Sequence, residues 1–461
     1  MFVAVVGWLT TLLLLAGVGL EVARAADVPF RESHERSPSL LRRLGAHATD
    51  RPRFVVAALG LAVVLLLHPF VDGVLRFAGV AAPFEFWDFG AYTGALDRWR
   101  AGESLYVRNE EGGYSGTYLY PPVFLLVVWP FTQLPFDTGA AAWELCSVLF
   151  LWGSLQLLVR QLGYSLRLWE RALLLWALVG FHPLLFSVKQ GQISAFLGGL
   201  VTLSLVGLLS AERPRSTTPG YVSGACTGLV GVVKLVYAPI GAHLLTDQRR
   251  FLGALGAGVT LFGLSLAVFG VEPHVDYLDV LRWGKSGQVR SPLLWMAPYY
   301  RPLYALAPVS FPLRIVGSLV VAGLALAAAS TDADRVVFAL GVATMPLLAP
   351  QAYSYYLTAL VPAVVVMLQV EFAVDGRPWL PLLAVFLLHS HSFGLRLAVE
   401  YLPPVVPFRS AAVPGLDATV ADVVVSGFQP GVWGALLLGV LAAKRVVDAS
   451  VHPLASRDRV R

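Results

Sequence analysis

Long apolar segments recur along the whole chain and constrain its fold more than any other feature. Runs of about 18 or more apolar residues with few charges indicate membrane-spanning helices, and such runs follow one another from residue 2 to residue 443. Only 14% of the 461 residues are charged, whereas soluble domains carry about 25%. The runs also lack the apolar–polar alternation of membrane β-strands. The sequence therefore predicts an all-α, polytopic transmembrane bundle of about 12–13 spans.

The first run, at residues 2–20, has two interpretations. Ala23-Arg24-Ala25 resembles the cleavage site of a secretory signal, but no positive residues precede the run, and it is long for a signal. We favour a span whose N-terminus lies outside. The other predicted spans lie at 54–78, 119–135, 138–159, 171–187, 193–210, 221–245, 251–270, 312–330, 335–349, 355–371, 378–396 and 424–443.

Charges in the connecting segments predict the orientation of the bundle. Arginines exceed acids in segment 21–53 and basic residues exceed acids in the tail 444–461, which places both in the cytoplasm. Acids exceed arginines in the loop 79–118, which places that loop outside. Counting 119–135 as a crossing would break the rule by putting later arginines outside, so a re-entrant segment is the alternative there. The net charge of +5 follows from this topology, and nucleic acid is not an expected partner.

These boundaries predict four regions. They are an extra N-terminal span with its arginine-rich linker (1–53), a core (54–300) with outer loops near 79–118 and 271–311, C-terminal helices (301–443), and a basic tail (444–461). Inside the first outer loop, aromatic and leucine residues recur at helical spacing, which predicts an amphipathic helix on the membrane surface. The residues of this stripe are Phe86, Phe89, Tyr92, Leu96 and Trp99.

Asp88 is the first candidate for chemistry, because it follows a predicted span and lies among aromatic residues. Desolvation at the membrane boundary makes a carboxylate more basic, as a general base acting on a lipid-linked substrate requires. The alternative is that Asp88 caps the following helix.

Two lysines interrupt apolar runs, Lys189 before Gly191-Gln192 and Lys234 midway along 221–245. Ionisable residues inside spans usually face a cavity or a partner, so Lys234 is a candidate for binding a phosphate. Snorkelling, or an ion pair with Glu144, is the alternative. Tyr120, in the sequence Tyr118-Leu-Tyr-Pro-Pro122, either belongs to a site or marks a span boundary with interfacial tyrosines.

Metal sites find little support in the sequence. Asp332-Ala-Asp334 has the spacing of a metal-binding carboxylate pair, but it falls in a turn predicted to face the cytoplasm, opposite Asp88. His389 and His391 do not share a helix face. The two cysteines, Cys146 and Cys226, cannot form a zinc site. We expect no metal and no cofactor.

Taken together, these motifs resemble glycosyltransferase family 87, a family of membrane mannosyltransferases with a GT-C fold. The resemblance covers about residues 54–300. The residues that carry it are Asp88-x3-Tyr92, Gly102-x2-Leu105-Tyr106, Tyr120-Pro-Pro122, Pro130-Phe131, Leu134-Pro135, Trp143, Gly191-Gln192 and Gly224…Lys234…Pro239.

This resemblance implies an inverting, metal-independent transfer of a hexose, usually mannose, from a polyprenyl-phosphate donor to a lipid or glycan acceptor. It implies an active site on the outer face of the plasma membrane, with Asp88 as general base. On this basis we predict substrate-binding residues, among which Lys234 or an outer-loop arginine would stabilise the departing phosphate. They are Tyr92, Tyr120, Lys189, Gln192, Lys234, Arg290, Arg301 and Tyr355. The chain departs from the family at Ser194 and at Gln351–Tyr356, where it lacks an expected asparagine and histidine.

Two functions of other classes stay open at this point. A transporter or flippase for a lipid-linked glycan is the runner-up, although we find no inverted repeat of the kind that transporters show. A membrane scaffold without catalysis is the third, and it would apply if Asp88 were only a helix cap. Membrane lipids surround the protein in every case, and the sequence predicts neither the acceptor nor the oligomeric state.

Overall fold

A computed structural model describes residues 47, 49–79, 81–110, 112–114, 116–211, 218–286, 299–300, 307–331, 333–349, 352–391 and 429–451. These residues are almost entirely helical, which confirms the predicted all-α bundle. One two-stranded antiparallel ladder pairs β1 (Tyr299–Tyr300) with β2 (Ala352–Tyr353). The predicted span 2–20 lies outside the described residues.

The helices follow the predicted spans closely in most places. In chain order they are α1 (Pro52–Phe77), α2 (Trp87–Arg100), α3 (Phe124–Val128), α4 (Phe136–Gln161), α5 (Leu168–Gly180), α6 (His182–Gln190), α7 (Ser194–Ala211), α8 (Thr218–Val233), α9 (Gln248–Phe269), α10 (Glu272–Ser286), α11 (Ala307–Ala327), α12 (Asp334–Leu348), α13 (Val361–Ala373), α14 (Trp379–His389) and α15 (Pro430–Val451). The described residues also include the 3₁₀ segments Phe131–Gln133, Leu235–Thr246 and Ser354–Leu360.

Within the described residues, five helices are long and apolar enough to cross a membrane, and a sixth span results if α5 and α6 count as one. The predicted number of 12–13 spans included some apolar runs that, in the structure, form interrupted helices or helices too short to cross a bilayer. The run 221–245 is one such case, since α8 ends at Val233 and a 3₁₀ segment continues from Leu235. The run 119–135 is another, because α3 has five residues, too few to cross a bilayer.

The bend between α5 and α6 measures 69° and occurs at Phe181. Pro183 lies in the first turn of α6, where the N–H that proline lacks would have no partner within the helix. Inside a continuous helix the same proline would remove a hydrogen bond and cause a kink, so α6 begins as a separate helix after the bend. The bend turns the end of α6 back toward the outer loop, and this end carries Lys189.

The helix α2 confirms the amphipathic helix predicted in the first outer loop, but its apolar face does not lie on lipid. Phe89, Tyr92 and Leu96 are fully buried, and the Tyr92 ring meets that of Phe124 at 4.9 Å between centroids. The predicted membrane-surface location is therefore wrong for this face. Burying the aromatic stripe against other protein rings removes more apolar area from water than an interfacial position would.

At the other end of the molecule, α15 continues to Val451, so Lys444 and Arg445 are helical rather than part of a separate tail. Arg445 forms a two-pronged ion pair with buried Glu371 of α13, with Nε–Oε1 at 2.7 Å and Nη2–Oε2 at 2.9 Å. This pair joins the last described helix to the bundle.

Candidate active site

Asp88 is held at the start of α2 by a turn anchored to the end of α6. The backbone N–H groups of Glu85 and Phe86 both donate to the carbonyl oxygen of Lys189, at 3.1 and 2.9 Å. Phe86 has a left-handed backbone (φ 51°), which is a strained conformation for an aromatic residue. The two hydrogen bonds stabilise this turn and thereby aim the first turn of α2.

The alternative that Asp88 serves as a helix cap is wrong. The N-cap position belongs to Phe86 and has no side-chain cap, and Asp88 is the second helical residue. Its carboxyl group instead lies within hydrogen-bonding reach of the Gln192 side chain. Gly191 permits this approach, because it has φ 70° and a Cβ there would lie 2.8 Å from Cβ of Phe89.

Tyr120 lies at the centre of the site. Its hydroxyl oxygen accepts hydrogen bonds from Nε2 of Gln192 at 2.7 Å and from Nζ of Lys234 at 3.1 Å. Tyr92 packs edge-on against the Tyr120 ring, with centroids 5.6 Å apart. The structure thus brings Asp88, Tyr92, Tyr120, Gln192 and Lys234 together, although the sequence separates them by up to 146 residues.

The ammonium group of Lys234 faces aromatic rings. It lies 4.1 Å from the ring centre of Tyr356, 5.0 Å from that of Tyr120 and 5.6 Å from that of Tyr355. Cation–π contacts of this kind attract a cation without neutralising it. The alternative ion pair with Glu144 is wrong, since neither oxygen of Glu144 has a hydrogen-bond partner in the part of the chain that the structure describes.

The surroundings of Asp88 change its acidity. Burial raises the pKa of Asp88 to about 6, while the positive charge of Lys234 and the hydrogen bond from Gln192 act in the opposite direction. A carboxylate with a pKa near neutrality is ionised at physiological pH and is still basic enough to accept a proton. Asp88 is half-buried as a residue, and its carboxyl group is the part that is desolvated.

Lys189 does not join this group through its side chain. Its Nζ lies 2.5 Å from Oδ1 of Asp72 in α1, and both side chains are buried. Oδ2 of the same carboxylate accepts from Nε of Arg76 at 3.0 Å. Lys189 therefore contributes to the site through its backbone carbonyl, which anchors the turn before Asp88.

Other predicted residues have different outcomes. Tyr355 belongs to the site, as its contact with Lys234 shows. Arg290, Arg301 and Asp332 lie outside the described residues. Asp334 binds Arg250 and the hydroxyl group of Thr246, and His389 contacts His182 of α6, whose backbone N–H donates to its Nδ1.

Two residues of the site were not predicted from the sequence to belong to it. Tyr356 makes the closest ring contact with Lys234, and Glu144 is close enough to Asp88 and Tyr92 to interact with both electrostatically. Glu144 could have been found, because a carboxylate inside an apolar run is by itself a functional signal. Tyr356 carries no such signal among its neighbouring tyrosines.

Comparison with known sequences agrees with the resemblance noted from the motifs. Residues 118–350 match the sequence profile of glycosyltransferase family 87. This range contains Tyr120, Lys189, Gln192 and Lys234, whereas Asp88 precedes it.

Two curated relatives carry the same description, a polyprenol-phosphate-mannose-dependent alpha-(1-2)-phosphatidylinositol pentamannoside mannosyltransferase. The protein from Mycobacterium tuberculosis (strain CDC 1551 / Oshkosh) is 28% identical over 176 residues, 37% of this chain and 38% of its own length. The protein from Mycolicibacterium smegmatis (strain ATCC 700084 / mc(2)155) is 26% identical over 204 residues, 43% of this chain and 47% of its own length. The matched part thus spans less than half of each relative. No solved structure matches the chain.

Proposed function

This chain belongs to glycosyltransferase family 87, and we propose that it transfers a hexose from a polyprenyl-phosphate donor to a hydroxyl group of a lipid or glycan acceptor. Mannose is the proposed sugar, because both curated relatives are described as polyprenol-phosphate-mannose-dependent. The observation that carries the proposal is the grouping of a desolvated carboxyl group, that of Asp88, with a cation that has no ion-pair partner among the described residues, Lys234.

The proposed reaction uses each of these groups once. Asp88 accepts the proton of the acceptor hydroxyl as its oxygen attacks the anomeric carbon. The new glycosidic bond forms while the bond from that carbon to the phosphate oxygen breaks, and the electron pair leaves with polyprenyl phosphate. Lys234 stabilises the growing charge on the phosphate. Attack opposite to the leaving group inverts the anomeric carbon.

Positive charge from Lys234 is sufficient for this scheme, so the proposal includes no metal ion. We also propose that the site opens to the outer face of the plasma membrane, since Asp88 lies in the loop 79–118, whose acidic balance favours that side. A donor with a prenyl chain could then stay in the bilayer while its sugar reaches Asp88.

The test is transfer by purified protein from radiolabelled polyprenyl-phosphate mannose to a lipid extract. Replacing Asp88 by Asn should lower transfer by about 10²–10⁴-fold, the usual contribution of a general base. Asp97→Asn is the matched control, because Asp97 lies on the same helix, is exposed and pairs with Arg100. This variant should transfer at the wild-type rate.

Two results would contradict the proposal. Equal transfer by wild type and a folded Asp88→Asn variant would remove Asp88 from its role. Movement of labelled lipid across liposomes without a covalent product would indicate a flippase. The anomeric configuration of the product, measured by NMR, tests inversion separately.

A further inference from the structure

Glu144 is the one buried carboxyl group near Asp88, in the described part of the chain, that the proposed reaction does not use. It lies on α4, its residue is 2% exposed, and neither carboxylate oxygen has a hydrogen-bond partner there. An unsatisfied buried polar group destabilises a fold, and native structures contain few of them. Glu144 is therefore a candidate for binding the polar groups of a substrate.

Glu144 lies close to Asp88, on the helix α4 that packs against α2. The first turn of α4 contacts α2, since the rings of Phe136 and Phe89 lie 5.8 Å apart. Glu144 follows about two turns deeper along α4 and interacts electrostatically with Asp88 and with Tyr92. A sugar whose anomeric carbon reaches Asp88 would therefore direct its ring toward Glu144.

Ser147 extends the same surface. It lies three residues after Glu144, on the same face of α4, and its buried Oγ also lacks a partner among the described residues. Leu151, one turn further, and Thr358 both approach Gly198 of α7. The face of α4 that carries Glu144 and Ser147 is thus turned toward α7 and the 3₁₀ segment Ser354–Leu360.

That 3₁₀ segment presents two more oxygens of the same kind. Oγ of Ser354 and Oγ1 of Thr358 are buried and have no partner in the described residues. The neighbouring Tyr355 and Tyr356 face Lys234. Unpartnered oxygens therefore occur on both elements that adjoin the Asp88 and Lys234 groups.

We propose that Glu144 and Ser147 form a subsite for sugar hydroxyl groups, occupied by the hexose of the donor. A hexose offers several adjacent hydroxyl groups, and the carboxyl group of Glu144 can donate a hydrogen bond to one and accept from another. Ser147 can donate to, or accept from, a third oxygen. The inference rests on the proposed function, and it adds which residues recognise the sugar.

The same chemistry could come from a sugar on the acceptor, so the experiment measures donor binding in the absence of acceptor. The purified protein is titrated with polyprenyl-phosphate mannose and, separately, with polyprenyl phosphate that has no sugar. Glu144→Leu should weaken binding of the mannose-bearing lipid about ten- to a hundredfold, the usual range when a buried polar group loses its hydrogen-bond partner. Binding of the sugar-free lipid should not change.

Stability provides a second readout that a purely structural glutamate would not reproduce. Because Glu144 has no hydrogen-bond partner in the described part of the chain, Glu144→Leu should leave the thermal midpoint of the ligand-free protein unchanged or raise it. Glu371→Gln is the control: it removes a buried glutamate that is paired with Arg445, so it should lower the thermal midpoint and leave donor affinity unchanged.

Each remaining outcome decides one claim. Wild-type protein that transfers no sugar would overturn the proposed function. Wild-type transfer, with equal donor binding by Glu144→Leu and wild type, would overturn only the subsite. Unchanged donor binding with a raised KM for the acceptor would reject the donor hexose as its occupant.

Discussion

Lys189 and Lys234 interrupt apolar runs in similar ways, but the structure gives them different roles. Lys189 lies in the last turn of α6 beside a buried carboxylate, and its Nζ lies 2.5 Å from Asp72. Lys234 lies in the break after α8, where it contacts the Tyr120 hydroxyl and the ring of Tyr356. The charge of Lys189 is neutralised by Asp72, whereas Lys234 contacts a hydroxyl group and aromatic rings among the described residues.

The difference shows what makes a membrane lysine available to a substrate. A carboxylate on an adjacent helix converts Lys189 into a structural link, through which α1 supports the turn carrying Asp88. Tyrosine rings and a hydroxyl stabilise Lys234 in place but leave its positive charge for a phosphate. Four predictions test this contrast, beginning with the largest effect.

Replacing Lys234 by Met should reduce transfer by about 10²–10³-fold, the effect of removing one group that stabilises developing charge. The thermal midpoint should change little, because no described carboxylate loses an ion-pair partner. Transfer is measured with radiolabelled donor, and Lys444→Met, on the exposed side of α15, is the control. Wild-type transfer by Lys234→Met would mean that the phosphate charge is stabilised elsewhere.

Replacing Lys189 by Met should mainly lower stability. Removing one partner of a buried ion pair costs about 3–5 kcal/mol, and the remaining contact of Asp72 with Arg76 should place the loss near the lower end. Unfolding by denaturant measures this loss. The double variant Asp72→Leu/Lys189→Met should recover most of it, since no buried charge is then left unpaired; a double variant as unstable as the single one would contradict the ion-pair explanation.

Replacing a glycine near each lysine should also have different effects on stability. Gly191→Ala introduces a Cβ 2.8 Å from Phe89 at a φ of 70°, so it should lower the free energy of unfolding by about 1–3 kcal/mol and lower transfer by displacing Asp88. Gly231→Ala, before Lys234, meets nothing within 4 Å and should stabilise its helix by about 0.5–1 kcal/mol. Equal loss in both variants would show that the contact with Phe89 is not what matters.

The pH dependence of transfer gives the smallest and most specific difference. Asp88 acts as a base only when it is deprotonated, so transfer should rise with pH through about 6, the pKa of this group. Lys234 lowers that pKa, so Lys234→Met should move the midpoint of the residual activity to higher pH. Lys189→Met should leave the midpoint where it is, and a shift in this variant would contradict the separate roles of the two lysines.

Much of the site could be predicted because its residues belong to recognisable motifs. Asp88, Tyr120, Gln192 and Lys234 were expected to act together, and the structure places them in contact or close to one another. The partner of Lys189 could not be predicted, because Asp72 precedes it by 117 residues and no local pattern joins them. The contact of Tyr356 with Lys234 could not be predicted for the same reason, because it depends on how the 3₁₀ segment Ser354–Leu360 packs against Lys234.

Local sequence alone determined that this chain is a helical membrane protein, because the apolar runs and the scarcity of charge leave no other way to satisfy the backbone in a bilayer. The sequence also predicted the helix in the first outer loop, which the structure shows as α2. Only the tertiary structure decided that α2 packs on protein, that Lys189 is neutralised by Asp72, and that Glu144 has no hydrogen-bond partner among the described residues. These outcomes depend on contacts between side chains on helices that are distant in sequence. In the buried interior each polar contact contributes more to stability than it would in water, and each missing contact costs more.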